Sequence, residues 1–217
     1  MNNKYFLSIL AALFMVPNLL RAQDDEFTQA IKTFNVGLVP QYSILGGMRT
    51  DLDFRLNDRN QWLVVSPLFY YDDGNLGFSD YEQMFGVGIE LQHRIFLHKN
   101  DPLPKGVYFG YGPVFNYFSV ESEGYYSYLI QEEGNNYFGL EEGSINTNIF
   151  KFGGNFVIGL QTIVNDFFYL DAYIGTGIRL SFDNKASGLH DYYTDGWLDL
   201  GYSGTLMVGG LRLGISF

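Results

Sequence analysis

From Thr33 onward, apolar side chains recur at every second position through eight stretches, each bounded by turn-forming residues. A period of two belongs to a β-strand, whose successive side chains leave opposite faces. The stretches run approximately Thr33 to Ser43, Gly47 to Leu56, Gln61 to Asp72, Tyr81 to Leu97, Val107 to Glu121, Thr147 to Val164, Phe167 to Phe182 and Leu198 to Phe217. They exceed the about 5 to 6 residues usual in soluble sheets and reach the about 9 to 11 needed to cross a bilayer at a tilt. The 20 Phe, 17 Tyr and 26 Gly, set beside 6 Pro and no Cys, favour strands and tight turns over helices.

Sorting each stretch by face decides between a soluble sandwich and a barrel. One face carries Phe85, Val87, Ile89, Leu91 and Ile95, then Val107, Phe109, Tyr111 and Phe115, then Phe150, Phe152, Phe156, Ile158 and Leu160, and finally Phe168, Leu170, Ile174, Ile178 and Leu180. The opposite face is glycine-rich and polar. It holds six cationic residues, Arg49, Arg55, Arg94, Lys151, Arg179 and Arg212, and five anionic ones, Asp51, Asp53, Glu82, Glu90 and Asp171. Such a face is too polar for a dry core, and apolar-out, polar-in alternation is the transmembrane barrel pattern. The reading is therefore all-β, an eight-stranded antiparallel up-and-down transmembrane β-barrel. The interior of a ring of that size is filled by side chains, so the charges are expected to form a plug of salt bridges, the alternative being a narrow gated pore. The third stretch, Gln61 to Asp72, is apolar on both faces and receives no assignment.

Residues 1–22 read as a secretory signal: Lys4 gives the positive start, Tyr5 to Leu20 an apolar run interrupted by Pro17 and Asn18, and Leu20-Arg21-Ala22 a cleavage site. Residues 23–32 are then a short periplasmic segment and 33–217 the barrel. Cleavage removes Lys4 and Arg21 and takes the formal charge from -11 to -13. Without Cys there is neither a lipid-acylation site nor a disulfide. Short connections at Asn57 to Asn60 and Asn165-Asp166, against long ones at Ser122 to Asn146 and Asp183 to Trp197, put the long loops outside and the short turns in the periplasm.

The last stretch ends Leu211-Arg212-Leu213-Gly214-Ile215-Ser216-Phe217, alternating and closed by an aromatic residue. It resembles the C-terminal insertion signal of outer-membrane barrels, and the chain as a whole is similar to the small OmpA/OmpX-like barrels and to outer-membrane β-barrel domain proteins, some of them secretion-associated. The resemblance implies an outer-membrane location, contact with outer-membrane lipids, and recognition of Leu211, Leu213, Ile215 and Phe217 by the barrel assembly machinery. It carries no residue-specific binding motif.

The long connections are acidic and aromatic: Glu121, Glu123, Glu132, Glu133, Glu141 and Glu142 in one, Asp183, Asp191 and Asp195 in the other, with Tyr125, Tyr126, Tyr128, Tyr137, Tyr192, Tyr193 and Trp197 among them. An acidic surface argues against nucleic acid. The aromatics are either interface-belt residues or a partner surface. No zinc-type His/Cys spacing, EF-hand loop or phosphate-cradling loop occurs, so no metal or cofactor is expected. The one catalytic arrangement that the residue types permit is His190 beside Asp191 and near Ser187, as in an outer-leaflet lipid-modifying hydrolase. The reading adopted is a non-enzymatic barrel, structural or partner-binding through loops or periplasmic turns, with a place in an envelope protein complex.

Overall fold

In the computed structural model the described residues are 31–73, 81–98, 103–132, 135–165, 167–184 and 199–217. The proposed signal peptide and most of the segment after it lie outside them. Eight antiparallel strands close into a barrel in chain order: β1 (Phe34–Leu38), β2 (Gly47–Asn57), β3 (Gln61–Asp72), β4 (Gln83–Phe96), β5 (Gly106–Glu132), β6 (Asn135–Val164), β7 (Phe168–Asp183) and β8 (Gly204–Ser216). Closure is made by β1 against β8, from Asn35↔Ser216 to Leu38↔Leu213. Among the described residues no helix is long and apolar enough to cross a membrane.

The alternation has the expected sense. Phe85, Ile89, Phe109, Phe115, Phe152, Phe156, Ile158, Leu170, Ile174 and Ile178 point outward and are exposed, while Arg49, Asp51, Asp53, Glu90, Arg94, Asp171 and Arg212 point inward and are buried. In water that coat would be one large aggregation-prone patch. In hydrocarbon it is at home, and a closed ring is one of the two backbone arrangements that lipid tolerates. Strand β3 also takes a phase: Trp62, Val64, Ser66 and Leu68 are buried inside, and Phe69 and Tyr71 are exposed outside. Periodicity could not find it because its inner face helps to plug the lumen and is itself mostly apolar.

Two asparagines make the short turns. Asn60 (φ 56°) and Asn165 (φ 54°) occupy the left-handed region that this side chain tolerates better than most. Asn60 is also fully buried. Its amide nitrogen donates to the carbonyls of His98 (3.1 Å) and Leu103 (3.3 Å), and its side-chain oxygen accepts from Trp62 Nε1 (2.8 Å). One side chain thus ties the β2–β3 turn to the β4–β5 connection at the short-turn end of the barrel.

Three boundaries differ from the alternation. Strand β1 stops at Leu38, not Ser43, because Pro40 has no N–H to continue the ladder and instead starts a 3-10 helix, Pro40–Leu45, closed by Gly46 at φ 68°. Strand β8 starts at Gly204, not Leu198. The connection expected as a loop, Ser122 to Asn146, is instead a hairpin arm, in which β5 and β6 stay paired from Gly106↔Gln161 to Glu132↔Asn135. The glutamates and glycines there mask the period, but Tyr, Ile, Leu and Phe between them sustain strand pairing. The expected long loop before β8 lies largely outside the described residues.

Candidate functional site

The lumen is built in layers. At its centre Arg49 Nε donates to Asp51 (2.8 Å) and its NH1 to Glu90 (2.8 Å), while its NH2 donates to Ser66 Oγ (3.1 Å). Arg94 NH1 donates to Asp53 (3.0 Å) and Nε to Gln92 (2.6 Å), with Asp51 at 3.5 Å from NH2 and Asp171 at 3.8 Å from NH1. Arg212 NH1 bonds Asp171, and its Nε lies 2.5 Å from Asp51 Oδ2 in an ion contact whose N–H direction misses hydrogen-bond geometry. Tyr108 donates to Asp171 (3.0 Å), and the guanidinium groups of Arg94 and Arg212 sit over the rings of Tyr108 (5.3 Å) and Tyr173 (4.8 Å). Three arginines meet four carboxylates. The excess negative charge is met by further donors, the Asn35 amide on Asp53 (3.5 Å) and the Tyr108 hydroxyl on Asp171, while Ser66 and Gln92 accept from the arginines.

Two apolar clusters pack around the network. Trp62, Phe96, Tyr108 and Val157 form one, with Tyr173 and Val208 against it. Toward the arm Met84, Phe118, Val120 and Ile149 pack with Tyr70, Tyr81 and Leu200. Residues just before β8 cover this end: the backbone oxygen of Asp199 accepts from Lys151 Nζ (3.0 Å), and that of Tyr202 from Ser181 Oγ (3.0 Å).

The sequence-derived charge set therefore divides. Arg49, Asp51, Asp53, Glu90, Arg94, Asp171 and Arg212 form one network. Arg179 is in the lumen but bonds neutral groups, Asn155 Oδ1 (2.7 Å) and the carbonyls of Gly154 and Ile178. Lys151 stands at the arm end, and Arg55 stands at the opposite rim with Asn57 O and Lys32 O as acceptors. Glu82 is not in the lumen. It precedes β4, is exposed, and its backbone N–H donates to Glu121 O, because its inward phase falls above the rim, where no wall surrounds it. The Glu123 carboxylate beside it holds its carboxyl above the ordinary range. In β8, Leu211 and Leu213 face outward, and Phe217 packs with Phe34 and Phe167.

The alternation also puts Tyr108, Tyr169 and Tyr173 on the inward face, but does not give their pairing with glycines. Tyr108 stands across the ladder from Gly159, Tyr169 from Gly214 and Tyr173 from Gly210. A Cβ on Gly159 would strike the Tyr108 ring, and one on Gly37 or Gly214 the Tyr169 ring. Gly37, Gly159 and Gly214 are thus seats for tyrosines, and a Tyr opposite a Gly on the polar face was the available signal.

Of the histidines, His93 lies on the outer wall, its Nδ1 2.9 Å from Tyr111 Oη, and His98 is exposed near the short turns. His190, Ser187 and Asp191 lie outside the described residues. Among the described residues no group of three or more His, Asp or Glu is placed to hold a metal.

A closed antiparallel ring with an apolar outside and an ion-paired inside defines the class: a transmembrane β-barrel of the kind found in outer membranes. No family model and no curated protein matches the chain. Among solved structures it is similar to CarO of Acinetobacter baumannii, at 11% identity and a TM-score of 0.41 over 86% of this chain and 98% of that one. It is also similar to the N-terminal β-barrel domain of Pseudomonas aeruginosa OprF, at 12% identity and a TM-score of 0.38 over 85% and 96%.

Ion pairs and apolar clusters share the lumen face, in keeping with the filled interior of an eight-stranded ring. Purified barrel in planar bilayers is expected to be silent, and a steady, ion-selective current from the unmodified chain would overturn the plugged lumen.

Proposed function

We propose that this is a non-enzymatic outer-membrane barrel whose hairpin arm docks a basic partner within an envelope protein complex. The observation that carries the reading is the length of the arm. The last rung of β4 on β5 is Gln83↔Glu121, and that of β7 on β6 is Ile149↔Asp183; farther out the two strands pair only with each other, up to Glu132↔Asn135. At about 3.4 Å per residue the ribbon projects some 35 to 40 Å. A lone two-stranded ribbon is marginal in water, which favours an arm that works against another surface. Between residues 121 and 147 the chain carries six glutamates and no lysine or arginine, so the complementary surface is cationic. Within the arm Phe138 is 78% exposed, an apolar contact for the same partner.

The test replaces residues 122–145 by an Asn-Gly turn, joining the cross-strand neighbours Glu121 and Asn146. The shortened barrel is expected to keep its mobility shift on boiling while losing the protein that is cross-linked to the intact chain in cells. Unchanged cross-linking from a correctly folded shortened barrel would reject the arm as the docking element.

A further inference from the structure

Between the Gln83↔Glu121 rung at one rim and the short turns at the other, a single His, Lys, Arg, Asp or Glu among the described residues faces outward from the wall, His93. Its Nδ1 lies 2.9 Å from the hydroxyl of Tyr111, directly across the ladder on β5, and the two rings meet edge to face at 5.3 Å. The pair stands inside the apolar belt. Above it β4 turns Leu91, Ile89 and Phe85 outward, and below it Ile95 and Leu97, while Phe109 and Val107 lie below Tyr111. Leu97 is four residues on from His93; at about 3.4 Å per residue and a tilt of about 40°, the imidazole sits about 10 Å above the lower edge of the belt.

Hydrocarbon offers an imidazole and a phenol no hydrogen bonds, and an ionisable residue at such depth marks a contact other than an acyl chain. Tyr111 satisfies Nδ1 alone, and Nε2 has no hydrogen bond among the described residues. In one tautomer the hydroxyl donates to Nδ1, which leaves Nε2–H as a free donor and the Tyr111 oxygen as a free acceptor. In the other, Nδ1–H donates to that oxygen, so Nε2 is the free acceptor and the hydroxyl the free donor. Either way the pair presents one donor and one acceptor side by side on the wall. It is complementary to itself.

We propose that the β4–β5 face around His93 and Tyr111 is the contact between two copies of this chain, related by a two-fold axis along the membrane normal. Such an axis keeps every residue of the second copy at the depth it has in the first, and an isologous contact sets each patch against itself. The free donor of each pair then meets the free acceptor of the other, in two equivalent hydrogen bonds. An acyl chain makes neither, and headgroups begin about 10 Å away, past the edge of the belt. Leu63, Leu91, Ile95, Phe109 and Pro113 surround the pair and pack against their counterparts. The face lies on the wall, apart from the hairpin arm, so the shortened barrel keeps it and the two proposals fail separately.

The test counts subunits by the bleaching steps of singly labelled barrels in lipid vesicles, from high to low protein density. The unmodified chain is expected to pass from two steps to one on dilution. His93→Leu and Tyr111→Phe are apolar on the lipid side and keep the mobility shift on boiling, and each needs about tenfold or more protein for the same dimer fraction. Thr176→Val on β7, whose hydroxyl is already bonded to Leu206 O (3.2 Å), leaves that fraction unchanged. The chain has no cysteine, so a short bismaleimide locates the contact: Leu91→Cys joins two copies, and Ile174→Cys, on the far side of the ring, does not. One-step bleaching at every density, an unchanged dimer fraction in both the His93 and Tyr111 variants, an equal loss with Thr176→Val, or joining through Ile174→Cys alone would each overturn the proposal. A barrel that stays monomeric and retains a phospholipid only while His93 is present would overturn it in favour of a lipid.

Discussion

Asp51→Leu lowers the stability of the barrel by about 3 to 5 kcal/mol, the usual cost of removing one partner from a buried charge cluster. Asp51 is fully buried and is the one carboxylate that touches all three network arginines: Arg49 at 2.8 Å, Arg94 at 3.5 Å and Arg212 at 2.5 Å. Without it three guanidinium groups remain buried, with Asp53, Asp171 and Glu90 left to balance them. Urea unfolding in lipid vesicles, followed by tryptophan emission and by mobility with and without boiling, measures the loss. Glu82→Gln, which alters a charge outside the lumen, leaves the midpoint where it is. Equal midpoints for the Asp51 variant and the unmodified chain would mean that the lumen is wet enough to hydrate the arginines.

The second large effect is expected on the opposite face of the wall. Ile158→Lys places an ammonium group near the middle of the apolar belt, between Phe109 and Ile174 on the neighbouring strands. A lysine at bilayer mid-depth costs a transmembrane barrel about 2 to 4 kcal/mol, whereas the same change on the solvated face of a soluble sheet costs almost nothing. Ile158 is 47% exposed, so the loss does not come from a void in packing. Moving the lysine to Val164, at the short-turn end of β6, recovers most of the stability as the side chain reaches the interface. An indifferent Ile158 variant would show that hydrocarbon does not cover this belt.

The strands that could be read from sequence were those with the strongest contrast between faces. In β4, β6 and β7 most outward positions are large apolar residues and most inward ones glycine, polar or charged, so phase and topology followed together. Contrast fails in β3, where Trp62, Val64 and Leu68 serve the lumen plug, and in the arm, where glutamates interrupt the period although cross-strand pairing persists. Pro40 was visible in the sequence, but its effect depends on which edge its missing N–H faces, and that is known only once Phe34 is seen paired with Phe217. The charged lumen residues were legible as a set. Their grouping was not, because it depends on height in the barrel: Arg55, Lys151 and Glu82 share the inward phase of the network but stand at or beyond its rims.

The ionic cluster draws its members from both ends of the chain, since Asp51 belongs to the second strand and Arg212 to the last. A nascent barrel that lacks β8 therefore carries Asp51 and Asp171 without Arg212, with only the longer contacts to Arg94 (3.5 and 3.8 Å) to join them, and those carboxylates are expected to keep more of their water. Hydrated charges resist transfer across the bilayer, so the ring gains its full preference for hydrocarbon only when the final strand arrives. Closure and insertion are then expected to form one cooperative event, with a chain truncated before β8 left on the aqueous side and cut by proteases.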